Sequence, residues 1–204
     1  MAESYSYLRR RGEIALYFDR TAAEAWSRLT SDAPLGRIRR TVRAGREQMR
    51  DTLLGWLPPD LTGARVLDAG CGTGALAVAA ARRGARVTAV DLSPTLVDLA
   101  RERLPRDLGP GRVDFAVGDM AGDDLGRQPG EDAGGSPVRF DYAVAMDSLI
   151  HYGPRDAVAT LARIAARTER AIVLTFAPRG PALVAMHAVG RMFPRGDRAP
   201  AIEP

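Results

Sequence analysis

From residue 64 onward the chain switches between two kinds of hydrophobic pattern. Short apolar runs at 64–69, 86–90, 112–117, 140–146 and 171–176 have the length of buried strands. Between them, 75–83, 94–104 and 155–167 carry helical spacing; Ser93 caps the second of these with Pro94 at its first position. Five strands alternating with helices predict an α/β fold with a doubly wound, mostly parallel sheet. Ahead of the sheet the period is helical. Thr21 can cap a helix through Trp26, and after a break at 32–36 a longer helix is expected over 35–57. There Ile38, Val42, Met49, Leu53 and Leu57 recur mostly three or four apart with arginines between them, until Pro58 and Pro59 stop the helix. The pattern divides the chain into an N-terminal helical arm or lid, 1–58, and an α/β domain, 59–204. Residues 121–137, acidic and rich in Gly and Pro, read as a surface loop after the third strand, and 181–193 as a final amphipathic helix.

Composition narrows the class. A chain of 204 residues with 46% hydrophobic and 26% charged positions excludes wholesale disorder and suits one domain. No apolar run is long enough to span a bilayer, and the first 11 residues lack the apolar segment of a secretory signal, so a cytoplasmic protein is expected. A single cysteine excludes an internal disulfide framework and a Cys-rich zinc site, and no metal site is expected. All 29 basic residues are arginine, which a GC-rich genome explains. Their distribution says more: residues 1–50 hold 11 arginines against six acids, the remainder 18 against 19. The positive charge sits in the arm, which suits nucleic acid, an anionic membrane surface or an acidic small substrate.

The string Val66-Leu67-Asp68-Ala69-Gly70-Cys71-Gly72-Thr73-Gly74 carries the chemistry. A strand feeding a helix through glycines lets a ligand approach the backbone. The spacing is not GxGxxG, and Asp68 stands two residues before the first glycine, where it would repel a dinucleotide's diphosphate. It would welcome the ammonium group of S-adenosylmethionine. Asp91, about 20 residues beyond the glycines, is placed to accept from both ribose hydroxyls, with Leu92 beside it. Asp119 is placed to accept from the adenine amino group with Met120 against the ring. Met146, at the end of the fourth strand, completes the expected cofactor set of Asp68, Gly70, Gly72, Gly74, Asp91, Leu92, Asp119, Met120 and Met146. Cys71 reads as a small residue lining the loop.

This set resembles the class I methyltransferases over 64–176. Further strings are similar to the magnesium-protoporphyrin IX O-methyltransferases of bacteriochlorophyll synthesis: Tyr17-Phe18-Asp19-Arg20-Thr21 with Trp26, Thr41-Val42-Arg43-Ala44-Gly45-Arg46, Val117-Gly118-Asp119-Met120, Met146-Asp147-Ser148-Leu149-Ile150-His151-Tyr152 and Thr175-Phe176-Ala177-Pro178. The resemblance implies methyl transfer from S-adenosylmethionine to one propionate of magnesium protoporphyrin IX, with magnesium present only as part of the substrate. It also implies contact with a magnesium chelatase subunit, peripheral association with the inner or photosynthetic membrane, and no nucleic acid. Tyr17 and His151 are the expected catalytic pair, positioning the acceptor carboxylate, with axial ligation of the porphyrin magnesium as a second role for His151. His187 receives no role. Members of that family run on past the end of this chain, so missing C-terminal strands and an exposed fifth strand are expected. Three readings compete: a methyltransferase for another small apolar acid or quinone precursor, a non-catalytic S-adenosylmethionine-binding partner subunit, and a nucleic-acid methyltransferase. The last lacks an Asn/Asp-Pro-Pro-Tyr motif after the fourth strand.

Overall fold

In a computed structural model, residues 4–21, 26, 30, 36–122, 125 and 138–176 are described. Five parallel strands, β1 (Arg65–Ala69), β2 (Arg86–Asp91), β3 (Arg112–Val117), β4 (Phe140–Ala145) and β5 (Thr168–Leu174), pair in the order β3-β2-β1-β4-β5. This is the doubly wound sheet that the alternating pattern predicts. Its order reverses between β1 and β4, and a crevice opens there at the carboxyl ends of the strands. The helices are α1 (Tyr5–Leu16), continued by a π-helical turn (Tyr17–Thr21), α2 (Arg37–Gly55), α3 (Ala75–Ala81), α4 (Pro94–Glu102) and α5 (Pro154–Ala165). A 3-10 turn, Leu149–His151, follows β4.

Alternation along the central strands sends side chains to two core layers. Val66, Val87, Ala89 and Val144 face one layer, completed by Leu76, Ala77 and Ala80 of α3 and by Leu53 and Leu54 at the end of α2. Leu67, Ala69, Val90, Ala143 and Ala145 face the other, completed by Ile164 of α5 and by Tyr7 and Ile14 of α1. The arm thus supplies core residues to both faces of the sheet.

Two expectations need correction, and one helix lies beyond them. Helix α1 was not signalled, because it buries only Tyr7 and Ile14, seven positions apart, and is otherwise polar. Its start is fixed instead by Ser4, whose hydroxyl accepts from the Tyr7 N–H at 3.1 Å. Thr21, expected to open a helix, ends the π-helical turn; of the residues that follow, only Trp26 and Thr30 are described before Gly36. The fifth strand begins at Thr168 rather than 171. Its first residues are polar because β5 is an edge strand among the described residues, and such an edge carries charge without loss. Glu169 pairs with Arg139 at 2.9 Å and Arg170 with Asp141 at 3.4 Å. The other boundaries match to within a few residues. The expected helix at 181–193, His187 and most of the loop at 121–137 lie outside the described residues.

Candidate active site

The pocket sits at the crevice between β1 and β4 and is built around the turn that follows β1. All three glycines there have positive φ: 83° at Gly70, 53° at Gly72 and 79° at Gly74. A Cβ on Gly70 would lie 2.4 Å from Ser148 Cβ, and one on Gly74 would lie 2.6 Å from the Phe115 ring. Those two glycines let neighbouring elements close up. Gly72 differs, since a Cβ there would meet nothing within 4 Å. Its backbone faces open space in the pocket lining, where a ligand can come close.

Two carboxylates end the central strands beside this turn. Asp68 is 1% exposed, and its Oδ2 is buried with no hydrogen-bond partner. Burial, then the nearby Asp91 charge, pushes its carboxyl up to about 7, against the pull of the Ala77 N–H. Asp91 accepts from the Gly72 N–H at 2.9 Å on one oxygen and from the Ser93 N–H at 2.9 Å on the other. Its carboxyl is also raised by burial, opposed by those backbone donors. Each Asp91 oxygen keeps a lone pair that a hydroxyl can use. Two buried acids, one with an orphaned oxygen, could take a ligand that brings an ammonium group and hydroxyl donors. S-adenosylmethionine has both. Burial and the two acids push the Cys71 thiol up, so it stays protonated and inert.

The first helix and the π-helical turn are fastened over the carboxyl ends of the strands at four places. Ser4 and Ser6 donate to the two oxygens of Asp156 at 2.7 and 2.8 Å. The Tyr7 hydroxyl donates to Asp119 Oδ1 at 2.6 Å, and Arg11 pairs with Asp119 Oδ2 at 2.9 Å. Arg10 Nε donates to the His151 carbonyl at 2.7 Å. Asp19 accepts from the Thr95 N–H and hydroxyl at 3.1 and 2.7 Å, fastening the π-helical turn to the start of α4. These contacts bring Ile14 and Phe18 into the pocket wall.

The structure places most of the expected residues together. Asp68, Gly70, Gly72, Asp91, Leu92, Met120, Met146 and His151 line the pocket. His151 is 9% exposed, with its ring edge-on to Phe18 at 5.5 Å. Gly74, Asp119 and Tyr17 are not among the lining residues. Gly74 serves the packing of the turn, and Asp119 receives Tyr7, Arg11 and the Ala121 N–H. Tyr17 stands with its ring at 81° to Phe18, centroids 5.1 Å apart, one residue from the wall. Phe18, Trp26, Arg46 and Asp147 also line the pocket; from the sequence none has an individual role, the lid arginines being expected only as a group to hold the second propionate or a membrane surface. Trp26, Arg46 and Asp147 form one group: the Arg46 guanidinium lies 4.4 Å from the Trp26 ring centroid and pairs with the Asp147 carboxylate. Burial pushes the Arg46 guanidinium down, and Asp147 holds it back up. Among the described residues no cluster of His, Cys, Asp or Glu could hold a metal ion, and no helix is long and apolar enough to cross a membrane.

Comparison with known proteins adds to this geometry. A family model for a methyltransferase domain matches residues 66–170, and one for the magnesium-protoporphyrin IX methyltransferase C-terminus matches 145–204. A magnesium-protoporphyrin O-methyltransferase of Rhodobacter capsulatus is 49% identical over 205 aligned residues, 100% of this chain and 85% of the relative. The Synechocystis protein of the same name is 31% identical over 87% of this chain and 73% of its own length. The crystal structure of the Synechocystis enzyme with bound SAH superposes with a TM-score of 0.74 at 28% identity, covering 90% of this chain and 80% of that one. Ubiquinone biosynthesis O-methyltransferases of Xanthomonas also match, at 36% identity for one of them, over 67% of this chain.

Proposed function

The chain belongs to the magnesium-protoporphyrin O-methyltransferase family, and on that premise we propose that its pocket carries S-adenosylmethionine-dependent methylation of a propionate of magnesium protoporphyrin IX. The product is the monomethyl ester, on the route to chlorophyll-type pigments. One observation carries the substrate reading: the 49% identity runs through the whole chain, arm included, whereas the ubiquinone enzymes match over only 67% of it. Ile14, Phe18, Trp26, Arg43 and Arg46 of the arm line the pocket, so likeness through the arm bears on what the pocket accepts.

S-adenosylmethionine supplies an electrophilic methyl on a sulfonium. A propionate has the chemistry of a glutamate side chain, with a pKa of about 4.3, so it is ionised at neutral pH and needs no base. An O–C bond forms as the S–C bond breaks, and S-adenosylhomocysteine leaves. What remains for this chain is binding, alignment and exclusion of water. Asp68 takes the ammonium, Asp91 the ribose hydroxyls, and Met120 and Leu92 the adenine side; Gly72 lets the backbone approach. His151, reached from the acceptor side and backed by Phe18, orients the carboxylate. Tyr17 acts from the arm, next to the wall residue Phe18. Residues 1–58 serve as the lid over this site. The lid's arginines suit a dianionic substrate, contact with a magnesium chelatase subunit, and peripheral attachment of a cytoplasmic protein to an anionic membrane.

Incubation with labelled S-adenosylmethionine and magnesium protoporphyrin IX tests the reading. Appearance of the labelled monoester supports it. Cofactor binding without transfer to the porphyrin would overturn it in favour of a partner subunit, and transfer only to quinone precursors would favour the other enzymatic reading.

A further inference from the structure

Helix α2 presents Arg43, Arg46 and Arg50 to the pocket, spaced three and four apart on one face. Arg50 turns toward its neighbour Asp51 at 3.0 Å. Arg46 is held differently. Its flat face lies on Trp26 at 4.4 Å, and its Nη1 edge meets Asp147 Oδ2; the two paired side chains are 25% and 23% exposed. A guanidinium stacked in this way offers its edge to carboxylates as a fork.

Asp147 is built to face that edge. Among the described residues it alone is a non-glycine with positive φ, 56°, a left-handed conformation that aspartate adopts more readily than most side-chain-bearing residues. Its N–H donates to Thr175 Oγ1 at 2.7 Å, and the Thr175 hydroxyl reaches back to Asp147 Oδ1 at 3.3 Å. The left-handed turn after β4 thus aims one carboxylate oxygen into the pocket at Arg46.

We propose that Arg46 is the receptor for the porphyrin carboxylate that does not react, and that Asp147 occupies this place on Arg46 until the substrate arrives. The assignment rests on the methyltransferase reading above and deepens it. A dianionic acceptor brings two carboxylates with opposite needs. The reacting one must keep its lone pair free, because tight pairing with arginine would quench its attack. The other has no such limit and gains from a fork. An Arg46 already neutralised by Asp147 does not trap the reacting group, and it gives up its partner only to a carboxylate delivered at the right distance. Arg46 and Asp147 are therefore specificity-determining residues for a diacid.

Binding of three magnesium porphyrins, followed by their fluorescence, tests this: the diacid, its monomethyl ester and its dimethyl ester. The monoester retains the carboxylate that does not react. R46Q is expected to raise the Kd of the diacid and the monoester about tenfold and to leave the dimethyl ester within twofold. R46K, which keeps the charge and loses the fork, should fall between R46Q and the native chain. Weakening of the diacid alone would place Arg46 on the reacting carboxylate and overturn the proposal. Equal weakening of all three would reduce Arg46 to wall packing and overturn it as well. D147N keeps a side chain that tolerates positive φ and removes the competitor, so diacid and monoester should bind severalfold more tightly; weaker binding would overturn the competition. Melting temperatures with S-adenosylmethionine confirm that each variant is folded. Turnover of the diacid by the native chain is scored separately: activity with Arg46-insensitive binding rejects this assignment alone, whereas inactivity rejects the methyltransferase reading and the binding series still decides on Arg46.

Discussion

Asp68 is unstable in the empty pocket for the same reason that it is useful in a filled one. Its orphaned Oδ2 sits in a low-dielectric wall beside a second acid, which raises its pKa from an ordinary 3.8 to about 7. A carboxyl whose folded pKa lies above its unfolded value costs stability as pH rises between the two. The protein without ligand therefore loses on the order of 3 kcal/mol from this group between pH 4 and 7. An ammonium placed on Oδ2 removes that cost by pairing the charge. Asp68→Asn should raise the melting temperature of the empty protein at pH 7.5 while weakening S-adenosylmethionine binding roughly ten- to a hundredfold, the range for a lost hydrogen bond to a charged group; calorimetry of the variant measures both. Loss of melting temperature together with retained affinity would reject the ammonium role. Gly70 gives a complementary prediction. In Gly70→Ala the new Cβ would need the space of Ser148 Cβ, 2.4 Å away, at a φ of 83°. Ser148 must shift with the turn after β4, so both cofactor affinity and stability should fall, the latter by roughly 1–3 kcal/mol.

Among the elements, α1 is held to the domain chiefly by polar contacts. It buries two side chains, and its register is set by Asp119 and Asp156, which belong to the segments after β3 and β4. Tyr7→Phe removes the donor to Asp119 while keeping the stack on Tyr152, whose ring centroid is 5.2 Å away. The expected cost is about 1 kcal/mol, confined to the arm. Hydrogen exchange should speed up across 5–16 with β1 and β2 unchanged; uniform acceleration would mean that the arm has no independent opening. This organisation explains which parts of the chain were legible in its sequence. The sheet was, because β1, β2 and β4 are buried on both faces and read as apolar runs. The glycine turn with Asp68 and Asp91 was legible because each has few chemical alternatives at its position. Helix α1 was not, since contacts made by single hydroxyls and guanidinium groups leave no period in the sequence. The same holds for Arg46 and Asp147, 101 positions apart, whose pairing depends on a backbone turn at Asp147 that an aspartate does not announce.

At the scale of the whole molecule, pocket and core are one thermodynamic system, because the acids that would hold the cofactor sit at the ends of β1 and β2, which form the middle of the sheet. A ligand that binds only the folded chain stabilises it by RT ln(1 + [L]/Kd), about 2.7 kcal/mol at a hundredfold excess over Kd. For a chain of this size that corresponds to a rise in melting temperature of about 5–10 °C. The rise must depend on pH with a definite sign. Below pH 7 a proton competes with the ammonium for Asp68, and at pH 6 most of the empty pocket carries that proton. Above about pH 8 the amino group of the cofactor loses its own proton, as α-amino groups do near 7.7–8.0. Affinity should therefore peak between these values, and the Kd at pH 6 should be about fivefold higher than at pH 7.5. Thermal shifts at fixed S-adenosylmethionine should shrink accordingly on acidification, and Asp68→Asn should flatten that acid limb. A shift that grows as pH falls to 6 would mean that the cofactor meets Asp68 protonated, with the carboxyl donating a hydrogen bond rather than pairing with a cation.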